Sequence, residues 1–150
     1  MQSNILIEKV MKENINIFSF KVELKELSTN GVVRFYSKKC DESWGSYWNN
    51  KKLTIPVSGV YQIDWGFCQN SISAYYKNSE TELALVINNR LHSEKAKVTK
   101  ANADVDSLNY CRQTLTTILE KNDTLSLCAK IFNPKSLNMK DVYLKVVINN

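Results

Sequence analysis

From residue 18 onward, apolar and polar residues alternate along the chain. Phe18, Phe20, Val22 and Leu24 are interleaved with Ser19, Lys21, Glu23 and Lys25, the period of two that belongs to a strand with one face buried. Leu53, Ile55 and Val57 repeat the pattern, with Pro56 marking a sheet edge or strand end because proline cannot donate to the ladder. Tyr61, Ile63, Trp65 and Phe67 alternate with Gln62, Asp64 and Gly66, the strongest strand signal in the sequence. Further alternating runs follow at Leu83–Ile87, Leu115–Leu119, Leu125–Ile131 and Val142–Ile148. Asn30-Gly31 predicts a hairpin returning through Val32 to Tyr36. Ser58-Gly59, Asn88-Asn89, Lys121-Asn122-Asp123 and Asn133-Pro134 predict the other turns and breaks. Residues 93–107 are polar and predict a long loop or a frayed strand.

Seven or eight strands with no helical pattern between them exclude a parallel βαβ sheet and predict an antiparallel sandwich or barrel. Residues 3–14 allow a short helix, capped by Ser3 with Ile5, Leu6, Val10 and Met11 on one stripe, or an edge segment. The predicted organisation is an N-terminal extension over 1–17 and a single all-β domain over 18–150. A chain of 150 residues can bury a core without a metal or a disulfide.

Charge and cysteine content narrow the chemistry. The net charge is +5, yet seventeen of the twenty cations are lysines and they are scattered. Nucleic-acid readers concentrate charge on one face and use arginine for bidentate contacts, so nucleic acid is not the expected partner. No apolar run approaches the ~20 residues of a membrane span, so membrane insertion is not expected. The first residues lack a signal peptide's basic start and apolar core. That favours an intracellular location over a secreted or virion-surface one. Cys40, Cys68, Cys111 and Cys128 form no CxxC pair, and His92 is the only histidine, so a structural zinc site is not expected. The cysteines read as reduced thiols, with disulfides in an oxidising compartment as the alternative.

The order of motifs resembles a known family. Leu53-Thr54-Ile55-Pro56-Val57-Ser58-Gly59-Val60-Tyr61-Gln62-Ile63 is similar to the F-x-x-P-x-x-G-x-Y-x-F stretch of the complement C1q globular head, which is structurally close to the tumour necrosis factor cytokines. Leu83–Asn89 resembles that family's strand running into an Asn-Gly turn. Leu115–Leu127 resembles its L-x-L-x-x-G-D-x-V segment, and Val142–Ile148 its closing strand. Leu53 stands where the family has an aromatic residue; Asn89 and Asn122 stand where it has glycine, and asparagine tolerates positive φ. No collagen-like Gly-X-Y stretch is present. The resemblance covers residues 18–148 and implies a ten-strand jelly roll, usually a homotrimer, that binds proteins or other ligands without catalysis; some relatives bind calcium near the trimer axis, but no residues here match a calcium motif, so no cofactor is expected.

Candidate residues follow from position. Ile118, Phe132, Tyr143 and Val147 sit opposite the core stripes, and apolar side chains on the outward face are candidates for a subunit contact. Trp44, Tyr47 and Trp48 lie in a polar stretch. They either anchor a ligand, such as a sugar ring, or fold back over an open end of the sandwich. His92 has no orienting partner in sequence, and the loop acids Asp41, Glu42, Asp104 and Asp106 are scattered, so no catalytic or metal site is assigned. Asn122-Asp123-Thr124 is a sequon placed in a tight turn. The expected function is a non-enzymatic module that self-associates or joins a larger assembly. The alternatives are a receptor-binding head of the same fold and a carbohydrate-binding jelly roll using the loop aromatics.

Overall fold

The computed structural model describes residues 19–35, 46–69, 80–99, 109–131 and 139–149. They form nine strands: β1 (Ser19–Leu27), β2 (Gly31–Val32), β3 (Leu53–Thr54), β4 (Gly59–Gln69), β5 (Glu80–Ile87), β6 (Arg90–Thr99), β7 (Asn109–Leu119), β8 (Thr124–Lys130) and β9 (Met139–Asn149). Among the described residues no helix is present, so none is long and apolar enough to cross a membrane. The candidate helix over 3–14, Trp44 and Phe132 lie outside the described residues.

Two antiparallel sheets face each other. One has the order β1-β9-β4-β7; the other has the order β2-β8-β5-β6, with β3 on the same edge of β8 as β2. Apart from the β5–β6 hairpin, neighbours in space are distant in sequence, the mark of a jelly roll rather than a meander. The alternation predicted for β4 holds: Tyr61, Ile63, Trp65 and Phe67 are buried between the sheets. They meet Leu83, Leu85, Leu125 and Leu127 of the second sheet in one core cluster. The Trp65 indole Nε1 donates to the Leu83 carbonyl across that core at 2.9 Å, which satisfies a polar atom that burial would otherwise leave unpaired. Tyr61 similarly donates its hydroxyl to the Val57 carbonyl at 2.6 Å, and burial pushes its pKa well above the usual tyrosine range.

Several sequence expectations are revised. Asn30-Gly31 is not a hairpin: β1 pairs with β9 and β2 pairs with β8, so the chain changes sheets there. Gly31 takes a φ of 101°, which glycine allows, and the Asn30 side chain accepts the Ile131 amide at 2.6 Å to pin the corner. The polar segment from 93 is strand as far as Thr99, because β6 is a sheet edge and needs few apolar side chains on its outer face. β7 begins at Asn109, earlier than its apolar run. By contrast, Asn88-Asn89 is the predicted two-residue hairpin turn, with φ of 51° and 65°, and Asn122 has a φ of 76°.

His92 lies in the bulged part of β6 opposite Leu85, half-buried and edge-on to Trp65 with ring centroids 6.3 Å apart. It is a packing residue rather than an exposed loop histidine.

Candidate functional site

Strand parity decides what the outward face of the four-stranded sheet presents. Because Phe20, Trp65, Leu144 and Val146 point into the core, their sequence neighbours point out. The registers then place side chains in rows across the sheet. Ile118, Val60 and Asn149 share one row; Thr116, Gln62, Val147 and Ser19 share the next. Thr114, Asp64, Lys145 and Lys21 form the third, and Arg112, Gly66, Tyr143 and Glu23 the fourth. Tyr110, Cys68 and Lys140 lie beyond the β-bulge, where β9 carries one extra residue and Asp141 takes a φ of 49°.

Gly66 is required in the fourth row. A Cβ there would run into the Cys111 carbonyl oxygen and stand 3.0 Å from the Arg112 Cα, so only glycine lets β7 approach.

The face is apolar at both ends and polar in the middle. Ile118 is 75% exposed, Tyr110 77% and Val60 37%. These are three of the five exposed large hydrophobic residues among those described, and all three lie on this one face. Between them, cations and carboxylates interleave. Thr114 donates its hydroxyl to Asp64, and Lys21 pairs with Glu23 at 2.9 Å. Burial raises the Tyr143 pKa and Asp64 raises it further, while Arg112 and Lys21 pull it down, so that hydroxyl sits within a mixed-charge cluster. Near the β1 edge a recess of about 300 Å³ opens, lined by Lys21, Glu23, Leu24, Lys25, Asp141, Tyr143 and Lys145. Cys68 is buried, and Cys111 and Cys128 are half-buried; all three are free thiols.

Of the sequence candidates, Ile118, Tyr143 and Val147 fall together on this face. Tyr110 and Val60 were missed. Carrying the period of two upstream from Ile118 through Thr116, Thr114 and Arg112 reaches Tyr110, but the stretch holds too few apolar residues to announce a strand. Tyr47 and Trp48 are half-buried against the core. The Trp48 ring packs 4.9 Å from Phe20 and 5.8 Å from Phe35, and its Nε1 is buried without a hydrogen-bond partner. Trp48 is therefore a cover over the core.

Among the described residues, no group of three His, Cys, Asp or Glu side chains is placed to hold a metal ion. No protein-family model matches the sequence, and no curated protein does. Solved structures do match. The globular domain of zebrafish complement 1qA protein aligns over 85% of this chain and 92% of its own, with a TM-score of 0.55 and 16% identity. Eiger TNF from S. frugiperda aligns over 87% and 86%, with a TM-score of 0.53 and 8% identity. With its two antiparallel sheets in the order described above, the chain has a C1q/TNF-like jelly-roll fold.

Proposed function

We propose that the chain is a non-enzymatic interaction module that self-associates, as a homotrimer or as one subunit of a larger assembly, through the outward face of the four-stranded sheet. The carrying observation is the concentration of Ile118, Tyr110 and Val60 on that face, together with the half-buried Tyr143 and Val147. A soluble surface gains by covering such residues. The interleaved charges suit contact with a like surface, because Lys21, Lys145 and Arg112 can each meet Glu23, Asp64 or Asp141 of another copy.

The exposed Ile118 and Tyr110 lie on edge strand β7, whereas the recess lies at the opposite edge, against β1 and β9. Knob and hole at different edges favour a heterologous contact, the kind that makes a ring when its rotation closes, over a two-fold one.

Light scattering across a dilution series, with and without reductant, tests the proposal. A stable species at three times 17.2 kDa, indifferent to reductant, is expected. A monomer at all concentrations would remove self-association and leave the same face to a different protein.

A further inference from the structure

The five-stranded sheet also has an outward face, and its composition differs. Lys130, Glu82 and Lys97 form one row, Val32, Cys128, Ala84 and Lys95 the next, and Ser126, Val86 and Leu91 the third. Val32 is 51% exposed and Leu91 60%. Half-buried Cys128 and Val86, with the buried Ala84 between them, link the two into a short apolar stripe running obliquely from the β2 edge to the β6 edge, about 14 Å wide for four strands at the usual spacing.

The charge beside that stripe is one-sided. Glu82 is the only carboxylate in these rows, and its Oε1 is taken by the Lys95 Nζ at 3.1 Å. Lys130 and Lys97 flank the same glutamate on the neighbouring strands. At the β6 margin, Arg90 and Glu94 add one charge of each sign.

We infer that this second face docks an acidic segment of another protein, its carboxylates on Lys97 and Lys130 and its apolar side chains between Val32 and Leu91. This goes beyond self-association and uses the other sheet. A second copy of the same face is excluded as occupant by charge, since lysine would oppose lysine. A lipid surface is a poor fit because the exposed apolar side chains are aliphatic and few, with no aromatic anchor among the described residues of this face. Nucleic acid lacks the stacking platform it would use, for the same reason.

The test uses the full chain and a capped eight-residue peptide alternating Glu and Leu. Binding is followed by titration and by the alkylation rate of Cys128, mapped by mass spectrometry, with Cys68 on the other sheet as the internal comparison. The peptide is expected to slow alkylation of Cys128 and not of Cys68, and to bind more weakly as salt rises. Lys97→Glu and Lys130→Glu should each weaken it about tenfold, and Leu91→Ser should weaken it as well. Ile118→Asp should leave it unchanged. Light scattering on Lys97→Glu and Lys130→Glu should show an unaltered solution mass, which separates this site from the self-association reading. The inference is overturned if a Lys/Leu peptide binds as tightly, or if a Glu/Ser peptide of equal charge does. It is equally overturned if phosphatidylserine vesicles or single-stranded DNA outcompete the Glu/Leu peptide.

Discussion

The two outward faces of this sandwich are built on the same period of two and end up with opposite characters. On the four-stranded sheet, Lys21, Arg112, Lys140 and Lys145 are interleaved with Glu23, Asp64 and Asp141, and large apolar side chains stand at both ends. On the five-stranded sheet, three lysines surround one glutamate beside a stripe of smaller side chains. A face that interleaves both signs can meet its own kind; a face with three lysines around one carboxylate favours a partner of the other sign. The fold therefore permits two different contacts at once, one on each side of a shared core.

The largest change should come from that core, because both faces stand on it. Trp65→Ala removes the biggest buried side chain and its hydrogen bond between the sheets. It should cost about 3–5 kcal/mol in denaturant unfolding and abolish both contacts together. A variant that lost one contact and kept the other would show that the sheets are energetically separate. Next in size, Ile118→Asp should weaken self-association by about 2 kcal/mol or more, roughly thirtyfold in dissociation constant. It should do so with little change in the unfolding midpoint of the dissociated chain, since Ile118 is exposed in the single chain. The matching change on the other sheet, Val32→Asp, should leave the solution mass alone.

Smaller still is Asn122→Ala. It places a β-carbon residue without a local hydrogen-bonding side chain at a φ of 76° and should cost about 1 kcal/mol. Neither face should respond, whereas Asn122→Gly should be neutral or better.

The last prediction is silent at neutral pH. Burial raises the pKa of Tyr61, Cys68, Cys111 and Tyr143, and all four lie in strands of the four-stranded sheet. For Cys111, burial foremost and then Cys68 push the thiol from 9.0 to about 11. The unfolded chain loses this proton first, so the stability contribution is whole below pH 9 and falls as pH rises toward 11. Cys111→Ala should flatten part of that slope in pH-dependent unfolding.

The strands were legible where one face is fully buried. Leu125, Leu127, Ala129 and Ile131 repeat at intervals of two because every second position meets the core. β6 and the first half of β7 were legible only in part, since an edge strand does not need a continuous apolar face: residues from 93 allowed either a loop or a frayed strand, and Arg112 and Thr114 carry no apolar signal until their register with β4 is known. Asn30-Gly31 misled for a related reason. Local turn chemistry reports that the chain bends, while which sheet it bends into depends on pairings more than a hundred residues away, such as Ser19 with Val147. The site was legible in part: parity marked Ile118, Tyr143 and Val147 as outward, but only the sheet order makes them neighbours. Trp48 shows the converse limit. A tryptophan in a polar stretch looks the same in sequence whether it waits for a ligand or covers Phe20 and Phe35.

Strand order also bears on how the chain is made. β9 sits between β1 and β4, so the second-last position in the four-stranded sheet is filled by the strand that leaves the ribosome after all the others described. Until then β1 has no neighbour in its sheet and β4 offers one unpaired side. A nascent chain must therefore keep two apolar strands apart from each other and from other chains for most of its synthesis. Folding of this kind waits on its longest-range contacts and is correspondingly slow. Chains halted at residue 138 should collect as aggregates in a translation reaction, while completed chains partition into the soluble fraction.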